Sequence, residues 1–242
     1  MEHEERMHSF LLVGQSNMLG RGYFRDALRV DMSHIKVLKD GNWQQLAYPA
    51  DPEKKLRGVC LSERFAERYA EDFGVEVGLI SCAVGGTCID QWCVGGTLFE
   101  NACQQAELAK KTSTIAGILW HQGESDCEDD RYPIYGKKLE VVLDTLRKRL
   151  NLTEVPLIVG GLGDYLGSMN PLPRYQNYVY INGAIRQYAS SRWLTEFVSS
   201  QGLQPDSDNL HFNSPSLYEL GNRYYEAFLK CLFVQKEKDA LP

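Results

Sequence analysis

Leu11–Gly22 reads LLVGQSNMLGRG. An apolar run stops at Gly14, and a helical stretch follows Asn17. This is the pattern of a buried strand turning sharply into a helix, the opening of a βα unit. Two residues after the glycine stands Ser16. Serine is a favoured helix cap. This serine also sits where ligands collect in open α/β sheets, at the C-terminal end of a strand. The stretch alone leaves a cap and a nucleophile equally open. It excludes other readings. No lysine is in place for a phosphate-binding P-loop, and the spacing is not G-x-G-x-x-G. The G-x-S-x-G elbow of α/β-hydrolases is absent too, since Ser16 is followed by Asn17 and Met18.

The same alternation continues outward. Short apolar runs at His8–Val13, Val75–Ser81, Ile115–Trp120, Pro156–Val159 and Leu194–Ser199 read as strands. Ser62–Asp72, Leu98–Lys111, Tyr132–Leu150, Tyr175–Ser191 and Ser216–Val234 carry apolar residues at three- and four-residue spacing and read as helices. Strands separated by helices form βαβ units with right-handed crossovers. The expected fold is a three-layer α/β/α sandwich, flavodoxin-like, around a central parallel sheet of about five strands. Residues 23–61, with Gly41, Pro49 and Pro52, are less regular and read as a loop-rich insertion over the sheet's edge or rim. No repeat, low-complexity segment or linker is visible, so residues 1–242 read as a single domain.

Bulk properties narrow the function. With 43% hydrophobic residues the chain can bury a sizeable core. A net charge of −6 without a basic cluster argues against a nucleic-acid or anionic-membrane partner. Seven cysteines, an odd number with no C-x-x-C pair, do not read as a disulfide framework or a zinc ribbon. The opening MEHEERMHSF lacks the apolar core of a secretory signal, and no apolar run is long enough to span a bilayer. These features point to a cytoplasmic protein with reduced thiols.

The loops after the strands carry the chemistry. They read GQSNM, SCAVGGTCIDQW, WHQGESD, GGLGD and QPDSDNLHF. A serine nucleophile needs a base within hydrogen-bond reach, and the base needs an orienting group. Among the five histidines, His211 lies in the last polar loop, three residues after Asp208. In a turn, residues so spaced can face each other, giving the order Ser16, Asp208, His211 for a Ser-His-Asp arrangement. The same residues also suit a capping stretch before the final helix. A tetrahedral intermediate needs donors for its oxyanion, each contributing roughly 3 kcal/mol in the transition state. The Ser16 N–H at a helix start, a backbone N–H of Gly85-Gly86 and the Gln122 amide are candidates. A plain tight turn and a loop-satisfying side chain are the structural alternatives. His121, Glu124, Asp126 and Cys127 mix hard and soft ligands at irregular spacing, so no metal or cofactor is expected. Glu124 or Asp126 instead suits a role in organising the loops. Trp92 and Trp120 flank the donor loops and read either as core or as a platform for a sugar or acyl group.

GQSNMLG, GGTCIDQW, WHQGESD and DNLHF resemble, in order, the sequence blocks of the SGNH hydrolases. More narrowly, they resemble the sialate O-acetylesterase-like branch that includes acetylxylan esterases of carbohydrate esterase family 6. The resemblance spans residues 11–212. It implies the SGNH hydrolase fold and hydrolysis of O-acetyl groups on carbohydrates. Block by block, it implies Ser16 as nucleophile, Asp208 and His211 as its acid and base, and Gly86 rather than Gly85 as the oxyanion glycine. Gln122 takes the place of the asparagine of other SGNH enzymes. Glu124 and Asn17 fall within the motifs, in supporting or substrate-facing positions.

The expected function is a serine carbohydrate O-acetylesterase for a small acetylated xylo-oligosaccharide or sialic-acid substrate. An SGNH esterase or thioesterase for longer acyl chains and a non-catalytic carbohydrate-binding relative are the alternatives. Oligomeric state is not legible.

Overall fold

The computed structural model describes residues 7–48 and 58–239. Pro49 and Pro52, part of the expected insertion, lie outside them. In chain order the elements are β1 His8–Gly14, α1 Ser16–Leu19, β2 Ile35–Lys39, β3 Asn42–Gln45, α2 Leu61–Phe73, β4 Val77–Ser81, α3 Thr97–Ala109, β5 Thr114–His121, α4 Tyr132–Arg149, β6 Leu157–Gly160, α5 Tyr165–Ser168, α6 Tyr178–Ser190, β7 Thr195–Val198 and α7 Ser214–Asp239.

The sheet has seven strands in the order β3-β2-β4-β1-β5-β6-β7, not about five. Every pairing is parallel except β2–β3. The five expected strands are present to within two residues at each end. The additional pair comes from the segment read as loop. It is a hairpin whose turn residues, Asp40 and Gly41, have φ of 50° and 77°. Two successive left-handed residues match the twist of flanking strands, which is why Asp-Gly is favoured in two-residue hairpin turns. The pair escapes a periodicity search because β3, at the sheet's edge, is mostly exposed and polar. Its Trp43 lies across Gly78 of β4, where a methyl group would sit 2.6 Å from the indole ring.

Helices cover both faces. α2 packs on α7, while α4 packs on α3 and α6. The centre of the first face is aromatic: Phe10 of β1 meets Phe65 and Tyr69 of α2 and Phe228 of α7 edge-on at 4.8 to 5.6 Å. Offset and edge-on pairs of this kind add to the area they bury. Pro173 starts a short 3-10 turn that precedes α6, so the stretch expected as one helix from Tyr175 is two elements.

β1 decides where function collects. It is buried from Ser9 onward and lies between β4 and β5, the point at which the strand order reverses direction. The loops after β1, β4 and β5 therefore converge at one end of the sheet, where open α/β folds bind ligands.

Candidate active site

β1 ends at Gly14 with φ of 133°, and any Cβ there would lie 2.1 Å from the His121 carbonyl oxygen. Only glycine lets the nucleophile loop press this closely against the end of β5. Ser16 then opens α1, a single helical turn with Gln15 at the cap position. The serine is therefore the first helical residue rather than the cap.

Asp208 and His211 reach Ser16 from the far edge of the sheet. The β7–α7 connection folds back as a tight loop, closed by Asp206 N–H to His211 O at 2.7 Å and Asn209 N–H to Asp206 O at 3.0 Å. Asn209 adopts a φ of 53°. The Asp208 Oδ1 atom accepts from the Leu210 and His211 N–H groups, both at 2.9 Å. Its Oδ2 takes His211 Nδ1 at 2.6 Å, and His211 Nε2 lies 2.9 Å from Ser16 Oγ. Partial burial alone would raise the Asp208 pKa. The His211 ring and the two backbone donors outweigh it and hold the carboxyl down at about 2. Among the described residues the His211 ring pairs with Asp208 and not with Asp206, whose carboxylate accepts from Ser207 N–H. The structure thus brings the three expected residues into one hydrogen-bonded chain.

The glycine turn lies beside it. Gly86 has a φ of 75°, which favours glycine, and a methyl group on it would meet nothing within 4 Å. A methyl group on Gly85 would lie 3.8 Å from Ser16 Cβ, so Gly85 faces the nucleophile. Among the described residues, the N–H groups of Ser16, Gly85 and Gly86 have no protein acceptor. They are free to bind an anionic oxygen.

A sequence model of the carbohydrate esterases described as sialic acid-specific acetylesterase matches residues 6–230. The chain belongs to this carbohydrate esterase family. It is 28% identical over 244 residues to a probable carbohydrate esterase of Arabidopsis thaliana, covering 91% of this chain and 89% of the relative. A crystal structure of an Arabidopsis thaliana protein superposes with a TM-score of 0.78 at 26% identity, covering 93% and 98% of the two chains. Two structures share the fold at lower identity. NanS gives a TM-score of 0.73 at 16% identity, covering 96% and 98%. A Geobacillus acetyl-xylooligosaccharide esterase gives 0.57 at 13%, covering 93% of each. The fold is that of SGNH-type hydrolases.

The esterase departs from the sequence expectation at Gln122, and Trp92 and Trp120 take the core alternative. Gln122 is fully buried, and its Nε2 donates to Asp126 Oδ2 at 2.6 Å, Thr87 O at 2.9 Å and Gln15 Oε1 at 3.1 Å. Two amide hydrogens shared among three acceptors leave none for an oxyanion, so the amide ties the loops after β1, β4 and β5 together. Trp92 and Trp120 are also buried, and they pack edge-to-face at 5.5 Å. They are core beneath the donor loops, not a platform for substrate.

The remaining motif residues form a buried polar layer. Asn17 donates to Glu124 Oε1 at 2.6 Å and accepts from Phe212 N–H at 3.2 Å, joining the nucleophile turn to the His211 loop. Among the described residues, Glu124 Oε2 has no hydrogen-bond partner. Tyr224 donates its one proton to Trp120 O at 2.7 Å, so it accepts from His121 Nδ1 at 3.1 Å. This fixes the tautomer of His121, with Nε2 facing Glu124 Oε1 at 3.8 Å. Burial pushes the His121 pKa down, against the pull of Glu124. Asp126 is pushed up to about 6 by burial, despite donations from Gln122 and Ile89 N–H. Among the described residues, no cluster of His, Cys, Asp and Glu is placed to hold a metal, and no helix is long and apolar enough to cross a membrane. Gln15 is a supporting residue that the sequence did not single out. Its side chain accepts from Gln122 Nε2 and the N–H groups of Gly123 and Ser125.

Proposed function

We propose that the protein is a serine O-acetylesterase acting on acetylated carbohydrates through an acetyl-enzyme on Ser16. The observation that carries this is the Ser16–His211–Asp208 chain, with distances of 2.9 and 2.6 Å. Ser16 Oγ attacks the acetyl carbonyl as His211 Nε2 takes its proton. Asp208 holds the ring through Nδ1 and stabilises its positive charge. The N–H of Ser16 and that of the glycine turn, Gly86 or Gly85, stabilise the oxyanion. His211 returns the proton to the sugar hydroxyl as it leaves. Water, activated by the same histidine, then releases acetate. Seven free thiols suit a reducing, cytoplasmic compartment.

The test compares 4-nitrophenyl acetate with the octanoate ester for wild type and Ser16→Ala. Acetate release is then measured from acetylated xylo-oligosaccharides and O-acetyl sialic acids. Acetate preference that disappears with Ser16 is expected. Preference for octanoate, or full activity in Ser16→Ala, refutes the reading.

A further inference from the structure

One charged group in the site has no role in this mechanism. Arg21 follows α1 across Gly20, whose φ of 101° and close approach to the Gly58 carbonyl turn the chain sharply. The Arg21 side chain thereby returns to the nucleophile. A methyl group on Gly85 would lie 2.7 Å from Arg21 Nη2 while standing 3.8 Å from Ser16 Cβ. Gly85 does not have a left-handed φ, so its backbone does not call for glycine. The guanidinium is what occupies the space of the missing side chain.

That guanidinium is under-used. Its one hydrogen bond among the described residues is to Gly20 O, at 3.4 Å. No carboxylate among them pairs with it. Other part-buried or buried arginines here are well satisfied: Arg192 grips Asp144 and Glu140, and Arg147 makes five hydrogen bonds. The site's own acids are committed, Asp208 to His211 and Glu124 to Asn17. A planar guanidinium with open donors matches a carboxylate through paired N–H bonds. On a chain of net charge −6, it is a local positive charge at the site.

We infer that Arg21 is a specificity-determining residue that receives a carboxylate borne by the sugar carrying the scissile acetyl group. The inference rests on the carbohydrate O-acetylesterase reading above. It favours acidic sugars over neutral xylo-oligosaccharides.

The experiment uses O-acetylated N-acetylneuraminic acid and its methyl ester, which share ring and acetyl group but differ in charge. The readout is the ratio of kcat/KM for acid over methyl ester. Wild type is expected to favour the acid by about tenfold or more, the scale of one charged hydrogen-bond pair. In Arg21→Gln the ratio falls to near one, and Arg21→Lys recovers part of it. Gly85→Ala, which crowds Nη2, moves it the same way. A wild-type ratio near one, or a ratio unmoved in Arg21→Gln, overturns the inference; the latter is the result for an arginine that serves the oxyanion or the fold. If no sugar ester is turned over, the substrate reading fails separately. Arg21 is then judged by competitive inhibition of 4-nitrophenyl acetate hydrolysis. Free N-acetylneuraminate must inhibit wild type better than its methyl ester does, and Arg21→Gln must abolish that difference. Equal inhibition overturns the inference.

Discussion

Asn17→Ala tests the layer beneath the catalytic chain. The substitution removes a hydrogen bond to a carboxylate, at 2.6 Å, and one from the Phe212 N–H, at 3.2 Å. Bonds to charged groups contribute about 1.5–3 kcal/mol and neutral ones about 0.5–1.5 kcal/mol, so the expected loss is on the order of 3 kcal/mol. The upper end is favoured because Glu124 Oε2 already lacks a partner. Truncation then leaves a buried carboxylate with no hydrogen-bond donor among the described residues. Glu124→Gln keeps an acceptor for Asn17 but removes the charge. In that background Asn17→Ala strands only a neutral amide and costs on the order of 1.5 kcal/mol. The double-mutant cycle therefore predicts a coupling of about 1.5 kcal/mol. Urea denaturation followed by tryptophan fluorescence measures it. Because Phe212 adjoins His211, kcat in Asn17→Ala should also fall on the order of 100-fold through misplacement of the base. Additivity of the two substitutions to within about 0.5 kcal/mol would refute the reasoning. Asn17 would then serve the backbone of the His211 loop and not the carboxylate.

Asp208→Asn should lower kcat by about 10⁴-fold with little change in KM, because an amide can donate to His211 Nδ1 and select the wrong tautomer; steady-state kinetics on 4-nitrophenyl acetate check this. Asp126 gives a pH signature. Its folded pKa is raised to about 6 from 3.8, so between those values the folded state holds a proton that the unfolded state has released. Stability therefore falls as pH rises through this window. The wild-type stability minus that of Asp126→Asn should drop by on the order of 3 kcal/mol from pH 4 to pH 7. A difference independent of pH in urea titrations would count against a buried, proton-holding Asp126.

What was legible in the sequence depended on how local its cause was. β1 and its turn are readable because an apolar run ending at Gly14 has one structural use. The Asp208–His211 pair is readable because three-residue spacing brings the two side chains together within a single turn. The β2–β3 hairpin left a signal, Asp40-Gly41, but its strands show little apolar alternation because one of them is the sheet's edge. The contacts of Gln122 are not legible for a different reason. Its three acceptors come from Gln15, Thr87 and Asp126, and nothing in the WHQGESD stretch says that the other two loops close over its amide. Trp92 and Trp120 are likewise each other's neighbours only after β4 and β5 lie on either side of β1. Arg21 gave no signal because its place is defined by a side chain missing from Gly85.

The long return of the β7–α7 connection has a bearing on biosynthesis. Nucleophile and base are 195 residues apart in the chain. Synthesis runs from the N-terminal end, and a domain folds as a unit. Ser16 thus emerges well before His211, and it waits for the later strands of the sheet to assemble before it can be activated. Reactivity of Ser16 toward an acylating probe is in consequence a reporter of completed folding: a nascent or truncated chain ending before His211 carries the serine but not its chemistry.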